Sequence, residues 1–314
     1  MEIFYDDLQE GMWFKSLSPF LRDATLTPIT GATNTNIESV LAYDRPDIVL
    51  TDNDHPILVV ERTVEVPSGH NVGQRYARLA AAAQNQIPLV YFGPYAAYKH
   101  GGETQGPRYM NLRLFYALDA MARIESVSIT TINWPVDDNY EIIQTSSKDT
   151  RIKAYLELFF GFYQRGGVAQ VNSQMPASRF FTEQIQERNN FISTQVKKPE
   201  QYDIPPDSVQ IGQNSSFPAL RGLTLPLRES VVYNIGMKYI RSDPYTGTAM
   251  LYEYLYADGF SRHSKNMVLY FPNISMQMWR DAASSGRTRK DIRLYKAVSD
   301  VIIFRDGVLL KAAL

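Results

Sequence analysis

The sequence contains no cysteine and only 4 histidines, and none of its apolar runs approaches the length of a membrane span. Without cysteine the chain can form neither disulfides nor a thiolate metal site, so a cytoplasmic location is expected. A membrane-spanning helix needs about 20 consecutive apolar residues, and we therefore predict none. The first residues also lack the basic and apolar regions of a secretory signal peptide.

Several common catalytic motifs are missing as well. The chain has no His-Glu-x-x-His zinc motif, no P-loop, no Gly-x-Ser-x-Gly nucleophile turn and no glycine fingerprint for a dinucleotide. The sequence therefore gives no support for a zinc protease, a P-loop ATPase, an α/β-hydrolase or a dinucleotide-dependent dehydrogenase.

The total charge is nearly balanced, since 33 acidic residues face 32 lysines and arginines, but the two signs are segregated along the chain. Residues 38–61 hold six acidic residues and one arginine, whereas residues 70–113 and 285–296 each hold five basic residues and one acidic residue. An acidic pocket beside basic segments suits a metal site acting on a phosphate backbone, although solvated helix faces give the same pattern. The candidate phosphate-contacting residues are Arg75, Arg78, Lys99, His100, Arg287, Arg289 and Lys290.

The acidic segment contains a predicted β-hairpin. Apolar runs of strand length at residues 48–50 and 57–60 surround a turn centred on Asp54, and Asp47 and Glu61 are equidistant from it. In a regular hairpin these two residues are cross-strand partners, with Cβ atoms roughly 4.5–5.5 Å apart. Two adjacent carboxylates repel unless a cation relieves them. A divalent metal ion with oxygen ligands is the simplest such cation.

The elements around this hairpin predict an α/β fold. We expect a helix at residues 33–43, a helix at 71–86 with an alanine run, a buried strand at 87–93, a helix from 107 to 123 and a strand at 127–134. This order predicts a mixed central β-sheet flanked by helices, with parallel late strands. We assign residues 1–145 to an N-terminal arm and this core.

Residues 146–314 are predicted to form a second region of α+β type. It begins with helices at 151–164 and 177–192 and continues with a proline-rich loop at 197–216. Short β-like runs at 230–240 and 266–271, a helix at 248–256 and a hairpin at 299–310 follow. We expect this region to serve in recognition or dimerisation.

The hairpin and its flanking elements resemble the PD-(D/E)xK nuclease superfamily over about residues 33–135. The matching residues are Pro46-Asp47, then Glu61-Arg62-Thr63 at the end of the next strand, then the helix from residue 71. Within that superfamily, the size and layout look most like a type II restriction endonuclease. The resemblance implies a restriction-endonuclease-like core and a Mg²⁺-dependent enzyme that cuts double-stranded DNA as a homodimer.

The resemblance also implies ligands for the metal ion. Asp47 and Glu61, together with the carbonyl group of Val60, would bind Mg²⁺. Glu38 corresponds to an additional acidic residue of many members and would hold a second ion or a metal-bound water.

One position departs from the family pattern, because Thr63 replaces the motif lysine. That lysine positions or deprotonates the attacking water in such enzymes. Thr63 is then expected to orient the water, and Gln74 to contact the scissile phosphate or the nucleophile. Gln74, Arg75 and Lys99 are the candidates to compensate for the missing lysine, although an arginine stays protonated and is a poor base.

Three other interpretations stay open at this point. The first is a catalytically inactive DNA-binding protein on the same fold, which the missing lysine favours. The second is a junction-resolving endonuclease or a subunit of a transposition endonuclease. The third is an assembly protein with no nucleic-acid partner.

Overall fold

The computed structural model describes residues 1–30, 37–68, 71–101, 105–194, 204–238, 240, 245–260, 262–284 and 289–311. The chain divides into two units. The first comprises Met1–Gly69, Arg78–Leu112 and Met121–Pro199, and the second comprises His70–Ala77, Arg113–Ala120 and Glu200–Leu314. Each unit contains its own mixed β-sheet with helices between strands, which confirms the predicted α/β fold class.

The strands described in the first unit are β1 (Glu2–Tyr5), β2 (Thr25–Pro28), β3 (Ile48–Asp52), β4 (His55–Arg62), β5 (Leu89–Gly93), β6 (Ala96–Lys99), β7 (Gly106–Tyr109) and β8 (Ile129–Asn133). Six of them form one sheet in the order β2-β1-β3-β4-β5-β8. The pairs β1–β3 and β3–β4 are antiparallel, whereas β4–β5 and β5–β8 are parallel. β6 and β7 form a separate antiparallel pair.

The parallel pairs require crossover connections, which helices provide. The helices are α1 (Leu8–Ser16), α2 (Asn71–Gln84), α3 (Leu112–Glu125), α4 (Thr150–Gln174) and α5 (Arg179–Ser193). α2 connects β4 to β5, and α3 lies between β5 and β8 in the chain. The predicted alanine run, residues 80–83 of α2, is buried because small side chains allow a helix to pack closely.

The apolar core of the first unit extends beyond the predicted domain boundary at residue 145. Ile152, Tyr155, Leu156 and Phe159 of α4 pack in one cluster with Ile48 and Leu58 of the hairpin strands and Val90 of β5. Residues 146–199 therefore belong to the first unit, because the apolar face of α4 is buried in the same core as the sheet. α4 also continues past the predicted end at residue 164, with a kink at Gly166 and Gly167, where Gly167 has a φ of 65°.

In its described residues, the second unit has a five-stranded sheet and three further α-helices. The strands are β9 (Val209–Gln213), β10 (Glu229–Asn234), β11 (Asn266–Phe271), β12 (Val301–Phe304) and β13 (Gly307–Leu310), and the helices are α6 (Tyr245–Tyr252), α7 (Met276–Ser284) and α8 (Arg289–Val298). Their order in the sheet is β13-β12-β11-β10-β9. β10–β11 and β11–β12 are parallel, and the outer pairs are antiparallel. The predicted terminal hairpin is confirmed as β12–β13.

Three local predictions were wrong. Residues 37–43 form a short 3-10 turn and further turns instead of a helix, and residues 31–36 lie outside the described residues. Residues 106–109 form β7 because they pair with β6, so the helix begins at Leu112 and not at Pro107. Part of the predicted loop at 197–216 is β9, which pairs with β10. Among the described residues, no helix combines the length and the apolar character that crossing a membrane would require.

Candidate active site

The β3–β4 hairpin has the predicted register at its open end. Ile48 pairs with Val60, and Val49 pairs with Val59, so the same register places Asp47 opposite Glu61. Asn53 and Asp54 form the tip, where their φ angles of 47° and 65° suit the left-handed turn that matches the twist of a hairpin. A register shift between Leu50 and Thr51 accommodates this two-residue tip without disturbing the carboxylate end.

The side chains of Asp47 and Glu61 converge on one guanidinium nitrogen. Nη1 of Arg78, on α2, donates to Oδ1 of Asp47 at 3.2 Å and to Oε1 of Glu61 at 3.0 Å. Nε of Arg78 lies 4.0 Å from Oδ2 of Asp44. The Glu61 side chain is fully buried, and those of Asp47 and Arg78 are 9% and 17% exposed. The predicted pair of carboxylates thus exists, and the cation beside it is an arginine of the same chain.

Backbone contacts hold Asp47 in this position. The backbone N–H of Arg62 donates to Oδ2 of Asp47 at 2.6 Å, and the N–H of Asp6 donates to the Asp47 carbonyl at 3.0 Å. Hydrogen bonds from N–H groups to a carboxylate stabilise its charged form and restrict its orientation. Asp47 is therefore bound by β4 and by the end of β1 in addition to Arg78.

A third carboxylate lies near the pair, and it comes from helix α1. Asp7 caps this helix by accepting from the N–H of Gln9, and the cap places Glu10 in the first turn. Oε1 of Glu10 lies 2.9 Å from Nη1 of Arg62. Burial raises the pKa of Glu10 above its ordinary value, and the neighbouring charge of Asp47 raises it further. Sequence reasoning missed Glu10, since no motif distinguishes it.

Aromatic rings hold the side chain of Arg62. Its guanidinium lies 4.8 Å from the centre of the Trp13 ring and 4.9 Å from that of Trp134, and both indoles stack on Phe92. A cation over the face of an indole is attracted by the ring quadrupole. Arg62 therefore links α1, β4 and the segment after β8, and it holds Glu10 beside the carboxylate pair.

The hydroxyl of Thr63 takes part in a turn that follows β4. Its hydroxyl donates to the carbonyl of Glu65 at 3.0 Å and accepts from the N–H of Glu65 at 3.1 Å. Because a hydroxyl carries a single proton, this turn already uses the proton with which Thr63 was expected to orient a water. Thr63 acts here as the cap of a turn after β4.

Glu38 and Val60 have separate positions. Glu38 lies exposed on the turn after residue 37 and not on the predicted helix. Val60 is a buried residue of β4 paired with Ile48, next in the chain to Glu61. Of the metal ligands expected from sequence, the structure brings together Asp47 and Glu61.

The candidate phosphate contacts are distributed over several elements. Gln74 is exposed and Arg75 half-buried on the part of α2 that belongs to the second unit. Lys99 ends β6, and the adjacent His100 contacts Oε2 of Glu141 at 2.7 Å. Arg287 lies outside the described residues, and Arg289 and Lys290 begin α8. Of all the predicted basic residues, Arg78 is the one whose described contacts reach Asp47 and Glu61.

Two arginines pair with the carboxylates of this cluster. Asp44, Asp47 and Glu61 are within ion-pair distance of Arg78, and Glu10 is within ion-pair distance of Arg62. In the described part of the chain, no group of three or more Asp, Glu, His or Cys side chains has the arrangement of a metal site. The donor set of this cluster is two converging carboxylates, which are ligands that hard divalent cations prefer.

Comparisons of the chain with protein-family models, with curated proteins and with solved structures gave no match. The functional interpretation therefore depends on the arrangement of Asp47, Glu61, Arg78 and Glu10 in this structure.

Proposed function

We propose that the protein is a Mg²⁺-dependent endonuclease that hydrolyses phosphodiester bonds of duplex DNA at a specific sequence, as a type II restriction enzyme does. The observation that carries the proposal is the convergence of the Asp47 and Glu61 carboxylates at the open end of the β3–β4 hairpin. Two buried carboxylates that meet at one point are costly for folding alone, and such clusters occur preferentially at functional sites.

The arrangement of the sheet supports the same proposal. An antiparallel hairpin, a crossover helix and a parallel strand follow one another as β3, β4, α2 and β5. The resemblance to the PD-(D/E)xK superfamily rests on this order of elements. By this resemblance, Asp47 and Glu61 would correspond to the acidic residues of the family motif.

The donor set fits a hard divalent cation. Asp47, Glu61 and the Val60 carbonyl would hold Mg²⁺, which when bound lowers the pKa of a coordinated water and offsets charge at the phosphate. The Arg62 N–H keeps Asp47 oriented for this role. We assign to Glu10 the additional acidic position that the sequence suggested for Glu38.

Glu10 also offers a replacement for the missing lysine. A general base works best when its pKa lies near the working pH, and burial and Asp47 both raise the pKa of Glu10. We propose that Glu10 accepts a proton from the attacking water, while Arg62 orients its carboxylate. Thr63 needs no part in this step.

The expected partners follow from the reaction. Cleavage of both strands with one site per chain favours a homodimer, whose two-fold axis would match that of the DNA. Lysine and arginine residues outside the site would contact the phosphate backbone. The DNA substrate and the lack of cysteine both fit a cytoplasmic enzyme.

A plasmid assay tests the proposal. Purified protein is incubated with supercoiled DNA and Mg²⁺, or with EDTA, and nicked and linear products are quantified. We expect metal-dependent cleavage by the wild type and none by Asp47→Asn or Glu61→Gln. The matched controls are Asp54→Asn, at the exposed hairpin tip, and Glu65→Gln, also exposed. Each control removes the charge of one nearby carboxylate that is not part of the site. Full activity of both site variants would remove Asp47 and Glu61 from the reaction.

One observation favours a second candidate function, an inactive DNA-binding module. Arg78 already supplies a positive charge to both carboxylates, as a permanent structural ion pair would. Such a protein would bind DNA with an affinity that falls steeply with salt, and it would cut no duplex under any divalent metal. A binding titration at several salt concentrations, run beside the plasmid assay, separates the two functions.

A further inference from the structure

Arg78 occupies the place that a metal ion between Asp47 and Glu61 would need. Its Nη1 lies 3.2 Å from one carboxylate and 3.0 Å from the other, while its Nε faces Asp44. The Glu61 side chain is fully buried and that of Arg78 is 17% exposed, so water screens these charges only partly. The arginine is therefore a strong competitor for the same oxygen atoms.

A divalent metal ion and this guanidinium exclude each other. Mg²⁺ binds carboxylate oxygens at about 2.0–2.1 Å and demands an ordered ligand shell, so it would compete with Nη1 of Arg78 for Oδ1 of Asp47 and Oε1 of Glu61. Two positive charges at one point also repel. Binding of the metal ion must therefore move Arg78 away from both carboxylates.

The displaced guanidinium would lose both hydrogen-bonded carboxylates and keep Asp44, 4.0 Å from its Nε, so a further anion would stabilise it in this partly buried position. A phosphate group is well suited, because its oxygens match the planar fork of an arginine. We propose that Arg78 is a built-in counter-cation that holds the site closed to metal ions until a DNA phosphate draws it away. This inference rests on the proposed function and adds a mode of regulation to the same site.

The consequence is a coupling between two ligands. DNA favours the conformation in which Arg78 has left the carboxylates, and the metal ion favours the same conformation. By linkage, each ligand then increases the affinity of the other by the same factor. The free protein keeps a low affinity for divalent ions, so its metal site becomes complete on DNA.

Calorimetric titration of EDTA-treated protein with Ca²⁺, which uses the same oxygen ligands, tests the inference without requiring cleavage. The proteins are the wild type, Arg78→Gln, and the matched control Arg179→Gln, whose side chain is 92% exposed and pairs with Glu183 on the surface of α5. Each protein is titrated alone and with a mixed-sequence DNA duplex at low salt.

Removal of the competing cation should increase the affinity of the free protein for Ca²⁺ about tenfold or more in Arg78→Gln, with no change in Arg179→Gln. The duplex should strengthen Ca²⁺ binding by the wild type and leave that of Arg78→Gln nearly unchanged. Equal Ca²⁺ affinities of the wild type and Arg78→Gln, or an equal effect of DNA on both, would overturn the inference.

In Arg78→Gln the carboxylates of Asp47 and Glu61 repel each other without the arginine between them. If this variant does not fold in EDTA, its folding provides a second measurement. Ca²⁺ should then restore its folding, measured by circular dichroism and thermal unfolding, because the ion replaces the lost charge. A variant that stays unfolded with Ca²⁺ contradicts the inference.

The outcome is distinguishable from a failure of the nuclease proposal. If Arg78→Gln binds Ca²⁺ more tightly and the wild type cuts no DNA, the counter-cation is supported and the nuclease is rejected. If the wild type cuts DNA with Mg²⁺ and Arg78→Gln shows unchanged Ca²⁺ affinity, the nuclease is supported and the counter-cation is rejected.

Discussion

Arg78 donates a hydrogen bond from Nη1 to Oε1 of Glu61 over 3.0 Å, and the Glu61 side chain has no exposed surface. A buried carboxylate is tolerated only when charge or hydrogen bonds compensate its lost hydration. The same guanidinium also donates to Asp47, so a single side chain of α2 pairs with both carboxylates at the open end of the hairpin.

This pairing predicts a measurable coupling energy. We expect Arg78→Met to lower the free energy of unfolding by about 2–3 kcal/mol, because it leaves Glu61 charged and buried. In Glu61→Gln/Arg78→Met the loss should be smaller than the sum of the two single losses by about 1–3 kcal/mol. Urea unfolding at pH 7 measures all four proteins. Strict additivity would contradict the pairing, and the exposed pair Arg179 and Glu183 is the control.

Glu10 predicts a pH-dependent stability difference. Burial and Asp47 raise the pKa of this carboxyl in the folded state, so the folded protein binds its proton more tightly than the unfolded chain does. The stability contributed by the protonated form is therefore present below the unfolded value of 4.5 and is lost as pH rises through the higher folded pKa. Glu10→Gln cannot lose a proton.

Thermal unfolding between pH 4 and pH 8 checks this prediction. The Tm of Glu10→Gln minus that of the wild type should increase as pH rises. A difference that is constant, or that decreases with pH, would show that the site does not disfavour the charged carboxylate.

The same variant tests the assigned proton acceptor. We expect Glu10→Gln to lower the rate of DNA cleavage about 10²-fold or more with unchanged DNA affinity, because an amide cannot accept the proton. Rates of single-turnover cleavage as a function of pH provide the measurement. The rate increase that accompanies deprotonation of Glu10 in the wild type should be absent from the residual activity of Glu10→Gln. Wild-type rates in Glu10→Gln would remove the residue from the reaction.

At Gly93, beside the site, there is no space for a larger side chain. A Cβ atom there would lie 2.6 Å from Cγ2 of Thr63 and 2.8 Å from the hydroxyl of Tyr91. Gly93→Ala should therefore destabilise the protein by about 1–3 kcal/mol. Adding Thr63→Ser removes the nearer of the two clashing atoms and keeps the hydroxyl that caps the turn, so the double variant should recover part of the loss.

Gly161 provides the matched control for this substitution. It lies within α4, and among the described residues no atom outside the helix's own backbone comes within 4 Å of the position that a Cβ atom would take. Gly161→Ala should therefore be neutral or stabilise by about 0.5–1 kcal/mol. Urea unfolding measures each variant. Equal stabilities of Gly93→Ala and Gly161→Ala would contradict the close approach of Thr63 and Tyr91.

Local patterns predicted several elements correctly because their causes are local. The hairpin follows from two apolar runs on either side of a polar turn. Its tip is the pair Asn53 and Asp54, and the register shift between Leu50 and Thr51 gives the carboxylate end the predicted register. The helix predicted around the alanine run is present as α2, and the four alanines are buried. In contrast, β7 exists because residues 106–109 pair with β6, and the proline at position 107 suggested a helix start instead.

The sequence alone predicted that Asp47 and Glu61 face each other, from alternation and spacing within one hairpin, and the register shift between Leu50 and Thr51 is the irregularity that keeps this pairing. Only the tertiary structure decided which groups surround that pair. Arg78 comes from helix α2, 17 residues after Glu61, and Glu10 comes from a segment 52 residues before its partner Arg62. Their positions depend on how helices orient on the apolar faces of the sheet, and no local pattern in the chain encodes that orientation.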